Sequence, residues 1–164
     1  MKSTFAASAI GVGACLLIAA SAALGYEVAF QVNPTEVVND NGVRKCSATR
    51  SSTSHGNPGK GASRGTVFST IGSACGIPDD KAPGNLEVKH QYMKKSNTTG
   101  NWGVCWGSGW KNNNDRTWTL AHYREWLSQP CGGGVYRTLS TGKVFINGSW
   151  HGENVIVNSG NHQV

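Results

Sequence analysis

Val28, Phe30 and Val32 follow Tyr26 at every second position, with Glu27, Ala29 and Gln31 between them. Successive side chains of an extended chain point to opposite faces, so the pattern predicts a half-buried strand over 26–32, ended by Asn33-Pro34. From Pro34 to Ala62 the chain is Ser, Thr, Asn, Gly and basic residues, with hardly an aliphatic side chain after Val43. Such a stretch cannot cover an apolar core, and a long surface loop over 34–62, pinned by Cys46, is expected. Ser63 then caps a predicted helix in which Val67, Phe68, Ile71, Ala74 and Cys75 share a face, and Gly76 with Pro78 stops it.

Leu86, Val88, His90 and Tyr92 alternate with Glu87, Lys89, Gln91 and Met93, which predicts a second strand followed by a polar turn from Ser96 to Gly100. A third strand takes in Trp102-Gly103-Val104-Cys105-Trp106-Gly107, with Trp102, Val104 and Trp106 on one face. A helix here would carry four glycines between residues 100 and 109, each costing about 1 kcal/mol. Thr117 or Thr119 opens a second predicted helix, in which Leu120, Tyr123 and Leu127 share a face with Trp126 at its border; Pro130 and Gly132-Gly133-Gly134 terminate it. Gly142 to Asn147 and Asn154 to Val157 read as closing strands, joined by a turn from Gly148 to Gly152 that contains Trp150. The expected fold class is therefore α+β: a two-layer sandwich of a mostly antiparallel five-stranded sheet with two helices on one face.

The N-terminus changes the compartment. Lys2, an apolar run from Ala9 through Ala23, and small residues at Ala23 and Gly25 form a secretory signal pattern over 1–25, too short for the ~20 residues of a spanning helix. A single secreted domain over 26–164 is expected, and it keeps four cysteines: Cys46, Cys75, Cys105 and Cys131. Without a CxxC, or a His at zinc-ligand spacing beside them, they read as two disulfides and not as a metal site, with all three pairings open. Asn97-Thr98-Thr99 and Asn147-Gly148-Ser149 are N-glycosylation sequons in a eukaryotic host. With 15 Lys+Arg against 9 Asp+Glu, the net charge of +6 suits an acidic partner, and 22 Gly suit a turn-rich fold.

Chemistry is less sharply written. His55-Gly56-Asn57-Pro58-Gly59-Lys60-Gly61-Ala62-Ser63 places Gly-Lys in a glycine-rich loop, but its spacing is not that of a phosphate loop, so neither nucleotide nor any other cofactor is implied. A secreted ribonuclease would draw its base, acid and phosphorane-stabilising groups from Glu87, His90, Arg116, His122, Arg137 and His151, with nucleic acid as partner. Their spacing does not force them together. His90, on the apolar face of its strand, reads as a hydrogen-bonded core histidine, and His122, with Arg124 and Glu125, as part of the solvated side of its helix. No GxSxG supports a serine peptidase. Of the tryptophans, Trp102 and Trp106 are expected in the core, whereas Trp110 and Trp150, in Gly/Asn/Ser-rich turns, are expected to be exposed as aromatic anchors.

Three groups of residues resemble a known family. The Gly103-Val104-Cys105 strand, the Leu120-Ala121-His122-Tyr123 segment ending near Cys131, and the closing pair Gly142-Lys143-Val144-Phe145-Ile146 and Glu153-Asn154-Val155-Ile156-Val157 are similar to the α/β-sandwich killer toxins of smut fungi and related necrosis-inducing secreted effectors. The resemblance implies an α/β sandwich and a non-enzymatic secreted protein that inhibits competing cells or provokes host cell death. It assigns no catalytic or binding residue here, and four mature cysteines are fewer than those toxins carry. The combined expectation is a monomeric secreted effector that binds a cell-surface protein, anionic lipid or glycan. Its contacts would be Lys60, Arg64, Lys94, Lys95, Lys111 and Arg116, with Trp110 and Trp150 as anchors; a basic ribonuclease and a glycan-binding module are the alternatives.

Overall fold

The computed structural model describes residues 27–54 and 60–163; the expected signal segment, Tyr26, His55 and the rest of the Gly-rich stretch up to Gly59, and Val164 lie outside the described residues. The described residues contain no helix. In chain order the strands are β1 (Glu27–Asp40), β2 (Val43–Ser54), β3 (Gly61–Ile71), β4 (Ile77–Pro78), β5 (Leu86–Lys95) and β6 (Trp102–Gly107). They continue with β7 (Lys111–Asn112), β8 (Thr119–Trp126), β9 (Val135–Ile146), β10 (Ser149–His151), β11 (Val157–Asn158) and β12 (His162–Gln163). All pairings are antiparallel. One sheet runs β1-β2-β3, with β8 and β4 both bonded along the far side of β3. The other has β5 and β9 at its centre, with β6 and β7 beside β5 and β10, β11 and β12 beside β9.

The architecture is thus an all-β sandwich, which corrects the α+β expectation. The span expected as a loop over 34–62 holds the rest of β1, all of β2 and the start of β3. Asn41 and Gly42, with φ of 51° and 81°, make the two-residue turn between β1 and β2. Pro34 does not end β1, because β1 is an edge strand paired only to β2, and a missing N–H is tolerated there with a register irregularity between Pro34 and Glu36. The first expected helix is β3: Val67 and Ile71 lie four apart, a spacing that keeps them on one face of a strand as well as of a helix. The second is β8, where Leu120, His122 and Trp126 face inward while Tyr123 is 53% exposed; Leu127, beyond the strand, is 88% exposed. The closing strand begins at Val135, not Gly142, and of the stretch 154–157 only Val157 is in a strand, β11.

Three zones fill the space between the sheets. Val67, Leu86, Val88, Val144 and Ile146 form an aliphatic cluster at one end, with Val38 and Leu120 against it. At the other end Tyr92 stacks on Tyr136 (4.6 Å) and Trp126 (5.0 Å), and Trp106 meets Trp126 edge-on at 5.4 Å. Between them lie hydroxyls: Ser51, Thr53, Ser63, Thr138, Ser140 and Ser159, all buried. Small side chains allow the sheets to close here, and Gly142 on β9 leaves no room for a Cβ beside Thr49 and Val67. Two disulfides brace the ends, Cys46–Cys75 and Cys105–Cys131, with Cα separations of 5.6 and 6.0 Å. They are compatible with an oxidising, extracellular compartment.

Candidate functional site

The hydroxyl zone leads to a histidine pair. Thr138 Oγ1 donates to Ser63 Oγ at 3.0 Å, which leaves the Ser63 proton for His90 Nδ1 at 2.7 Å. His90 therefore carries its own proton on Nε2 and donates it to His122 Nδ1 at 2.8 Å. Upstream, Thr53 donates to Thr138 Oγ1 at 2.6 Å, so the chain Thr53, Thr138, Ser63, His90, His122 has every donor pointing the same way. Ser140 donates to Ser51 Oγ (2.9 Å) and Ser51 to the Thr138 carbonyl (2.7 Å), tying β2 to β9 beside it.

His90 is the hydrogen-bonded core histidine that its position suggested, at 1% exposure. Burial, together with His122, holds its pKa down to about 3, so the ring is neutral at physiological pH. His122 corrects the expectation of a solvated helix face: it is half-buried on the inner side of β8, stacked on Trp106, with its pKa lowered by burial and by Lys111 and Arg124. Ser63 is also only 1% exposed, so the Ser63–His90–His122 array presents no nucleophile to a substrate. The other groups of the ribonuclease set lie elsewhere. Glu87 is on the outer side of β5, ion-paired to Lys143 at 2.9 Å, and Arg137, on the outer side of β9, sits 4.0 Å over the Trp102 ring. His151 bonds Glu36 at 3.0 Å, and Arg116 is exposed between β7 and β8.

The eight residues expected to bind do not form one patch. Arg64 points from the outer side of the β1-β2-β3 sheet, away from β5 and β9, because its neighbour Ser63 points inward. Lys60 is half-buried, and its carbonyl accepts from Gln129 at 2.5 Å. Lys94 and Lys95 line a cleft of about 350 Å³ with Asn97, Gly103, Val104 and the Cys105–Cys131 bridge, and the Lys94 ammonium is held by the Cys131 carbonyl at 2.5 Å. Lys111 lies at the β7 edge opposite Val88. Asn97 and Asn147 are both exposed, the second in the Asn147-Gly148 turn with its amide bonded to Asp40.

Trp110 and Trp150, in contrast, are brought together over the outer side of the second sheet. Trp110 reaches it from the segment before β7, and Trp150 from β10, directly opposite Phe145. The Lys143 ammonium stands between them, 4.6 Å from the Trp110 ring centre and 4.3 Å from that of Trp150. Lys89 approaches Trp110 at 4.5 Å, and Phe145 meets Trp150 edge-on at 5.3 Å. Both indoles are half-buried, less open than the exposure expected of them. The same face carries Trp102 with Arg137 near the β6 end. Trp102 and Trp106 are also half-buried and do not share a face: a register shift between Tyr92 and Met93 turns Trp106 inward and leaves Trp102 and Val104 outside.

Lys89 and Lys143 were not singled out from the sequence, and Glu87 was named only as a ribonuclease candidate. The signal for Lys89 was its alternation with the core residues of β5; Lys143 needed the β5–β9 register, which pairs it with Glu87. No family model, no curated protein and no solved structure matches this chain.

Proposed function

We propose that this is a secreted, disulfide-braced binding protein that docks on a cell surface through the outer side of its second sheet, with Trp110 and Trp150 as the principal contacts. The observation that carries the reading is the pair of indoles held on either side of Lys143 above two central strands. Indoles offer broad apolar area with little conformational entropy to lose, and a sheet fixes their spacing before a partner arrives. The α/β architecture implied by the likeness to killer toxins does not occur in the described residues, so that likeness contributes only the idea of a secreted binder. The ribonuclease alternative is less supported, since His90 and His122 are engaged with Ser63 and with each other, His151 is bonded to Glu36 apart from them, and Glu87 and Arg137 lie on the outer side of the second sheet.

The test is binding of the oxidised mature protein to intact fungal and plant cells, with growth and membrane permeability as further readouts. Replacing Trp110 and Trp150 together by Ala is expected to cut cell association at least tenfold while the thermal midpoint stays within a few degrees. Undiminished association would refute this face as the contact. Reversing Lys94 and Lys95, which lie in the separate cleft, is expected to leave association unchanged.

A further inference from the structure

We infer that the groove beside Trp110 is a subsite for a neutral polysaccharide, an assignment that rests on the binding face proposed above and specifies its ligand. The groove, about 330 Å³, lies between the outer residues Lys89, Gln91, Leu139 and Thr141 of β5 and β9 and the segment bearing Glu153, Asn154 and Ile156. It continues directly into the tryptophan pair, because Lys89 lies over Trp110 and Lys143 is the next outward residue of β9 after Thr141.

Its polar groups are unspent. Among the described residues, Gln91, Thr141, Glu153 and Asn154 make no side-chain hydrogen bond or ion pair within the chain, and Lys89 meets only the Trp110 ring. Thr141 is the telling member: it is 4% exposed, and what remains open of it lines the groove. Its hydroxyl has no partner within the chain and is open to the groove, where a ligand that both donates and accepts would complete it. Two amides, a hydroxyl, an ammonium and a carboxylate together match a ring of hydroxyls, each of which is both donor and acceptor.

The charges around the groove weigh against the acidic ligands that the net positive charge suggested. The groove holds one carboxylate, Glu153, as well as the Lys89 ammonium, and Lys143 is already paired with Glu87 at 2.9 Å. An anionic chain or headgroup would meet Glu153 and would have to displace Glu87. A neutral hexose polymer meets neither obstacle, and the C–H face of its rings packs on the indoles at the end of the groove.

The experiment titrates the oxidised mature protein with a soluble neutral β-glucan, a soluble neutral mannan, polygalacturonate, and vesicles of phosphatidylcholine with phosphatidylserine, each at 50 and 500 mM salt. The expected result is binding to a neutral glycan that changes less than twofold between the two salt concentrations. Thr141→Val and Asn154→Ala are each expected to weaken it about fivefold with an unchanged melting temperature. Failure of both neutral glycans, or binding confined to polygalacturonate or vesicles and lost at high salt, overturns the assignment while leaving the tryptophan face standing. Wild-type affinity in both groove variants also overturns it. Loss of the face itself would instead appear as unchanged cell association in the double tryptophan variant.

Discussion

Gly142→Ala measures how closely the two sheets approach. A Cβ built on Gly142 falls 2.6 Å from Thr49 Oγ1, 2.6 Å from Val67 Cβ and 2.8 Å from Val67 Cγ2, where ordinary carbon contacts need about 3.5–4.0 Å. Thr49 and Val67 are fully buried in the opposite sheet, and a Cβ is fixed by its own backbone, so no rotamer of Val67 removes the clash. The sheets must part by about 1 Å at this point, which places the cost at the upper end of overpacking, about 3 kcal/mol. For a chain of this size that is a fall in melting temperature of roughly 6–12 °C. Two other glycines calibrate the measurement. At Gly65 the nearest atoms stand 3.1 Å away, on His90, Ser140 and Val88, and Gly65→Ala is expected to cost about 1 kcal/mol. At Gly103 nothing lies within 4 Å, and Gly103→Ala is expected to be neutral or slightly stabilising. Urea unfolding followed by tryptophan fluorescence ranks the three. Equal midpoints for Gly142→Ala and Gly103→Ala would show that β9 does not pack against Thr49 and Val67, and the register of the sandwich would be refuted.

Acid should destabilise the fold through His90. Its folded pKa of about 3 lies below the 6.5 of an unfolded histidine, so between these values only the unfolded chain takes up the proton. Stability is complete above pH 6.5 and is lost as pH falls toward 3, by about 2 kcal/mol between pH 6.5 and 4.5; a His90→Gln variant that kept the wild-type slope in pH-dependent urea unfolding would contradict this. Ser63→Ala strips partners from His90 Nδ1 and Thr138 Oγ1 in a dry interior, and chemical denaturation should register a loss of about 2 kcal/mol; a neutral effect would break the hydrogen-bond chain. The bridges span 29 and 26 residues, and each is worth about 3.5 kcal/mol by loop closure. Cys131 is exposed whereas Cys46 is buried, so alkylation mapped by mass spectrometry during mild reduction should label Cys105 and Cys131 first; the opposite order would refute the placement of the bridges.

What could be read from the sequence followed the chemistry of each strand. β5 was legible because Leu86, Val88, His90 and Tyr92 alternate with polar residues in the pattern a half-buried strand needs. β3 was not, because Val67 and Ile71 satisfy both the strand and the helix period, and its remaining inward positions are Gly61, Ser63, Gly65 and Ser69. β2 was read as loop for a related reason: its inward positions Ser47, Thr49, Ser51 and Thr53 are hydroxyls, so no apolar pattern announces a buried strand. Asn41-Gly42, flanked by Val37, Val38 and Val43, was the local signal that two strands meet there. In the candidate face, Trp110 and Trp150 stood out by their polar surroundings. The partners that make them a site, Lys143 with Glu87 and Lys89, depend on strands more than fifty positions apart being in register, which no local pattern encodes.

The hydroxyl interior and the binding face are two sides of one arrangement. Ser and Thr bury little apolar area, so the middle of this sandwich gains less from water release than the aliphatic and aromatic zones flanking it. Each net hydrogen bond there contributes only about 1 kcal/mol, but together they fix the sheets in one register and one separation. Glycines at 65 and 142 and short hydroxyl side chains hold the inner sides of β5 and β9 close to the opposing sheet. Those two strands carry Lys89, Gln91, Thr141 and Lys143 on their other side, so side chains that a partner would touch stand on the most constrained backbone of the molecule. A contact surface built this way loses little entropy when it binds, since the ordering is already complete in the folded chain. The cost falls on stability, and the disulfides offset it by closing loops at both ends of the sandwich, where they do not cross the tryptophan face.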